Sequence, residues 1–263
     1  MVQEYGEGAP LSYNKYLKVR ELLELQQTLS EPLSHDELLF IIIHQTYELW
    51  FKQILHEIDA TIGWLDESRA FRANHSLRAI TAIERVIISQ IHILETMAQI
   101  GFLEFREKLN PASGFQSMQF RELEFASGSK DERIINTFRD DEFARDRLRQ
   151  RLNEKTLADA FWELLGRNDF GVGSHDARVG TIIKILTQPE KHPDFFLMQD
   201  LLIEHDENFA LWRSHHVLMV ERMLGMKPGT GGSEGVKYLQ TTLNKKFYPE
   251  LWEARTHLKV DPL

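Results

Sequence analysis

The 263-residue chain contains no cysteine, and that absence removes several chemistries at once. Disulfides, zinc–cysteine sites, cysteine-ligated iron–sulfur clusters and thiolate-ligated haem are all excluded. A cysteine-free chain also suits a reducing compartment. Positive charge is scarce as well: 31 Lys and Arg stand against 40 Asp and Glu, a net charge of −9 with no basic cluster. Such a chain is not built to bind nucleic acid or an anionic membrane surface. Long apolar runs are missing too. The longest, Leu38–Ile43, falls far short of the ~20 residues that a membrane-spanning helix needs. Met1–Pro10 carries Glu4 and Glu7 and no apolar run, so no signal peptide is read. The expectation is a soluble cytoplasmic protein.

What the chain does have is helical period. Hydrophobic residues make up 42% of it, enough for a substantial core. Between Tyr13 and Leu29 apolar residues fall at 16, 17, 19, 22, 23 and 25. Ser34-His35-Asp36-Glu37 predicts a capping box that opens a helix from about His35 to Leu65. Further long helices are predicted over about Phe71–Ile100 and Pro193–Leu224, with shorter ones at 116–127, 140–165, 235–245 and 248–256. No stretch alternates with period two. Breaks fall at Asn110–Gly114, Gly166–His175 and Lys227–Ser233, none of them long enough to be an interdomain linker. The sequence predicts one all-α domain, residues 1–263, of long antiparallel helices.

Two histidines sit in the apolar seams of these segments. Helical geometry puts Phe40, Ile41, Tyr47 and Phe51 on the face of His44. Phe209, Trp212, His216, Met219, Val220 and Met223 form a second stripe, whereas His215 shares a more solvated face with Asn208 and Arg222. A titratable imidazole among bulky apolar neighbours needs a partner to satisfy it. Taken singly, each is read as a core histidine. Taken as a pair flanked by aromatic residues, they point to a flat cofactor held between two helices.

Other metal chemistry finds little support. No histidine has a glutamate three residues before it, which excludes the paired Glu-x-x-His of a di-iron bundle. His56 and Glu57 lack the second histidine of a zinc-protease helix. His175-Asp176 and His205-Asp206 are read as solvated turn and helix-start residues rather than parts of a facial triad. Arg106, four residues after Phe102, is read either as a carboxylate clamp or as a structural ion pair. Thr230 lies in the glycine-rich loop Lys227–Ser233, which follows a helix and lacks the ending of a nucleotide P-loop. That loop suits either closure over an anionic ligand group or a helix C-cap with its connector. Tyr13 and Tyr16 read first as amphipathic helix residues and second as substrate contacts.

With their flanks, these residues resemble the tryptophan 2,3-dioxygenase family. The resemblance is carried by Tyr13–Leu17, Leu29–Pro32, His35–Glu37, Leu39–Trp50, Phe105-Arg106, Pro111–Ser117, Leu211–His216 and Gly229–Ser233, in the family's order. It covers roughly residues 10–125 and 200–256, while residues 126–200 match poorly and read as shortened.

The resemblance implies an all-helical enzyme that encloses haem b, ferrous in its active state. Its reaction inserts O2 across the indole C2–C3 bond of L-tryptophan to give N-formylkynurenine. His216 would be the proximal iron ligand, and His44 the distal histidine beside the indole nitrogen. Phe40 and Phe102 would wall the pocket, with Arg106 and Thr230 clamping the substrate's carboxylate and ammonium groups. Tyr13 and Tyr16 would reach the active site of a neighbouring subunit in a homotetramer. Two other readings fit the same residues: a relative that oxygenates a substituted tryptophan in a biosynthetic pathway, and a non-catalytic haem-binding protein. Arg106 and Thr230 together weigh against the second, because a carrier needs no amino-acid clamp.

Overall fold

Leucine and isoleucine recur at three- and four-residue spacing through three segments that have no proline beyond the first turn. Each folds as one long helix. The computed structural model describes residues 11–227 and 235–259, and among them every regular element is helical. In chain order the α-helices are α1 (Tyr13–Leu17), α2 (Val19–Leu23), α3 (Glu37–Asp66), α4 (Ala70–Leu94), α5 (Gln99–Arg106) and α6 (Met118–Ser127). They continue with α7 (Glu142–Asn153), α8 (Leu157–Arg167), α9 (His175–Thr187), α10 (Pro193–Leu224), α11 (Val236–Gln240) and α12 (Pro249–Thr256). Pro193 opens α10, where a missing N–H costs nothing. No single helix among the described residues is long and apolar enough to cross a membrane.

The three-residue link between α3 and α4 makes them an antiparallel pair, with the Tyr47 hydroxyl donating to the Ile87 carbonyl at 3.1 Å. α10 lies along α4 in the same direction: the cross-contacts Asn74–Asp194, Glu84–His205 and His92–His215 climb both helices together. A parallel neighbour needs a long return, and the chain from α5 to α9 supplies it. Ile54, Ile58 and Leu65 of α3, Leu77, Ile80 and Ile91 of α4, and Met198 and Leu202 of α10 form the fully buried centre. A smaller cluster gathers Phe125, Ile134, Ile135, Phe138, Ala144 and Leu148 around the start of α7.

Several local expectations change. The capping box at Ser34 does not form: α3 starts at Glu37, whose carboxylate instead accepts the Leu29 and Ser30 amides and the Ser30 hydroxyl. Ser34 turns its hydroxyl to Glu104, at 3.0 Å. The first periodic segment breaks at Lys18 (φ 50°) and stops at Leu23, because nothing among the described residues covers it; α1 and α2 bury no residue. The predicted 140–165 helix splits at Thr156, which forms a capping box with Asp159. α9 was not predicted, since Gly171 and Gly173 read as a plain break; Ser174 caps it.

His205 and Asp206 are not solvated. His205 is fully buried, with Nδ1 donating to Glu84 at 2.6 Å and Nε2 paired with the Ser127 hydroxyl at 2.9 Å. Asp206, also fully buried, accepts from the amides of Phe247 and Tyr248 and from the Trp252 indole. Asn208, expected on a solvated face, is buried as well and donates to Glu84.

Candidate active site

A cavity of about 520 Å³ opens where α3, α5, α6 and α10 meet. Its volume lies within the roughly 300–1,000 Å³ usual for substrate and cofactor pockets. Phe40, His44, Phe102, Arg106 and His216 all line it, so five residues up to 176 positions apart in sequence face one space.

The two imidazoles differ in how they are held. His44 Nδ1 donates to the Phe40 carbonyl, one turn earlier, at 2.7 Å. That bond fixes the tautomer and leaves Nε2 as an acceptor. Burial pushes the ring below its ordinary pKa, outweighing the opposite pull of the Phe40 carbonyl and the Glu48 carboxylate. Phe40 packs on the ring at 4.1 Å, and Phe102 and Phe105 extend the aromatic wall at 5.6 and 5.5 Å from Phe40.

His216 has no hydrogen-bond partner among the described residues. Trp212, one turn earlier on α10, stacks flat against it at 5.0 Å and 8°. Burial, aided by His44 nearby, pushes its pKa down to about 4. It is therefore neutral at pH 7, the form that can ligate a metal.

Among the described residues no group of three or more His, Asp or Glu could hold a metal ion. A lone neutral imidazole on a large apolar cavity suits instead an iron whose in-plane ligands come with a flat macrocycle.

Buried charge supports the same fit. Arg121 and Arg213 both bond Glu124, at 2.8 and 2.9 Å, and all three line the cavity. Two guanidinium groups thus face one carboxylate, and Arg121 Nε is buried without a partner. Such an excess suits a cofactor that carries carboxylates, as haem does. Periodicity missed these residues. The available signals were Arg121 and Glu124 at i, i+3 spacing, Arg213 three residues before His216, and Glu48 one turn after His44.

Tyr13 and Tyr16 lie outside the cavity and are 75% and 72% exposed. Thr230 lies outside the described residues.

The sequence comparisons give the family. A family model for tryptophan 2,3-dioxygenase matches residues 2–169 and 163–258. The chain belongs to the tryptophan 2,3-dioxygenase family. It is 48% identical to the tryptophan 2,3-dioxygenase of a Nocardioides species, over 97% of each chain. Identity to the enzyme of that name from Herpetosiphon aurantiacus is 43%, covering 94% of this chain and 98% of the relative. For the Myxococcus xanthus protein it is 38%, covering 95% and 91%. The family match also runs through residues 126–200, where the resemblance looked poor; the join between its two pieces falls inside that stretch.

Proposed function

We propose that this chain, acting as one domain over residues 1–263, is a haem-dependent tryptophan 2,3-dioxygenase. The reaction inserts O2 across the indole C2–C3 bond of L-tryptophan to give N-formylkynurenine. The observation that carries this reading is a neutral, partner-free His216 sharing one aromatic cavity with a tautomer-fixed His44, in a chain of this family.

His216 would hold the iron of haem b, and Arg121 and Arg213 would face its carboxylates. When bound in the ferrous state, the haem supplies the oxygen chemistry. The chain's own residues orient and enclose the substrate. His44 Nε2 accepts the indole N–H, Phe40 and Phe102 hold the ring, and Arg106 takes the carboxylate as a planar fork. Thr230 completes the clamp at the amino-acid end. The apolar walls keep water from the reacting atoms. Extending the family resemblance, the chain would act as a cytoplasmic homotetramer in which Tyr13 and Tyr16 reach a neighbour's pocket; the exposure of both side chains supports this reading.

The test is reconstitution with haem, reduction, and addition of L-tryptophan and O2, with the product followed by absorbance and mass. A gain of two oxygen atoms with the spectrum of N-formylkynurenine is the expected result. A one-oxygen product, or turnover of substituted tryptophans alone, would move the chain to a biosynthetic relative. Haem binding without turnover of any indole would make it a carrier.

A further inference from the structure

Glu48 follows His44 by one helical turn, so its side chain shares the cavity face of α3. Both carboxylate oxygens are taken by protein donors. Oε1 accepts the Ser117 hydroxyl at 2.6 Å, and Oε2 accepts the Gln119 amide at 2.8 Å. Gln119 also donates to the Glu48 main-chain carbonyl at 2.9 Å. Ser117 is at the same time the N-cap of α6, its oxygen accepting the Phe120 N–H at 3.2 Å. One hydroxyl can serve both partners, as donor to one and acceptor from the other.

The segment so anchored is a wall of the pocket: Ser113, Gly114 and Phe115 line the cavity just before Ser117. Within this turn the Ser113 hydroxyl accepts the Phe115 N–H at 3.4 Å, the Ser113 N–H donates to Gln116 Oε1 at 3.0 Å, and Phe115 rests edge-on against Tyr238 at 4.9 Å. None of these contacts ties the wall to the helix that bears His44. The Glu48 bonds do.

We propose that Glu48 is a positioning residue, clasping the 113–119 segment to α3 and so fixing the width of the tryptophan pocket beside His44. It acts through Ser117 and Gln119 and does not touch the substrate. The inference rests on the function proposed above for the pocket.

The experiment uses the holoenzyme and the variants Glu48→Ala, Ser117→Ala, their double, and Glu48→Gln. It measures amide hydrogen exchange at residues 114–117, KM and kcat for L-tryptophan, and the pH profile of kcat/KM. The expected result for Glu48→Ala is exchange faster by about tenfold and KM raised about fivefold, with kcat changed less. Ser117→Ala should raise KM about threefold, and the double variant should be no worse than Glu48→Ala, because both remove one contact. Glu48→Gln keeps an acceptor for Ser117 and should restore most of the lost affinity.

Additive effects of the two single variants would overturn the clasp. So would a Glu48→Gln enzyme as poor as Glu48→Ala with a shifted pH profile, since that assigns the effect to charge on His44. Soret absorbance and Tm verify folding; if Glu48→Ala misfolds, Ser117→Ala and Glu48→Gln carry the test. Exchange needs no turnover, which separates the two readings. Unchanged exchange in an active enzyme sinks the clasp alone, whereas faster exchange in a chain that never turns over tryptophan upholds the clasp and sinks the proposed activity.

Discussion

At the scale of single residues, the two buried imidazoles separate by what satisfies them. His44 Nδ1 donates to a main-chain carbonyl, whereas His216 has no hydrogen-bond partner among the described residues and stacks on the flat face of Trp212. The expected outcome for His216→Ala is loss of haem on gel filtration, seen as loss of the Soret band. His44→Ala should keep the haem and lower kcat/KM by about a hundredfold, the usual scale for a positioned proton acceptor. Arg106→Ala should raise KM for tryptophan about 10- to 100-fold, because a carboxylate enclosed without its partner is costly. An unchanged KM there would remove Arg106 from the clamp.

The same burial sets a pH dependence for the haem-free protein. Unfolded histidine titrates near about 6.5, while burial holds His216 at about 4. Between those values the unfolded chain binds a proton that the folded chain refuses. Stability is therefore full above about pH 6.5 and falls as the pH drops toward 4, with His44 contributing in the same direction. Urea midpoints of the apo protein at pH 7, 5.5 and 4.5 should decline, and His216→Leu should flatten the decline.

At the scale of elements, α10 does two jobs with residues three turns apart. Its second half presents Trp212, Arg213 and His216 to the cavity, and its middle holds the fold together through His205 and Asp206. Asp206→Ala would leave the Phe247 and Tyr248 amides and the Trp252 indole without their acceptor. A destabilisation of about 3 kcal/mol or more is expected, read as a lower urea midpoint. Periodicity showed α3 and α10 to within two residues, because their apolar stripes are long and free of proline beyond the first turn, whereas the helix expected over Phe71–Ile100 stops at Leu94 and the chain bends before α5. It could not show that α4 and α10 run parallel, since direction depends on the return path through α5 to α9. It also misjudged His205-Asp206: a polar pair inside an apolar helix looks solvated until Glu84, Ser127 and Phe247, all distant in sequence, arrive to satisfy it. The site divides the same way. His44 and His216 stood out as polar residues on apolar faces, and the family resemblance gave them roles. Arg121, Arg213 and Glu48 gave no such local contrast, and only their meeting at one cavity distinguishes them from ordinary surface charge.

At the scale of the whole molecule, the N-terminal helices find no cover among the described residues. Neither α1 nor α2 buries a residue, and Leu11, Tyr13, Tyr16, Leu23, Leu25 and Leu29 are each more than half exposed. Large apolar side chains exposed in this number along one short segment call for a partner. The segment is nevertheless tied close to the site: Gln45, next to His44, donates to the Leu25 carbonyl at 3.0 Å and accepts from Gln26 at 2.6 Å. A neighbouring copy docked there would bring its own pocket within reach of Tyr13 and Tyr16. Light scattering should give four times the mass of the chain, and Leu11→Ser with Leu23→Ser should lower it. Subunit mixing provides the sharper test. Arg106→Ala and Tyr13→Ala, each poorly active alone, would be co-expressed in equal amounts. If each site joins Arg106 of one subunit to Tyr13 of the next, random assembly restores about a quarter of the sites. If Tyr13 served its own subunit, no mixture could restore any, because every chain would carry one lesion in its own pocket.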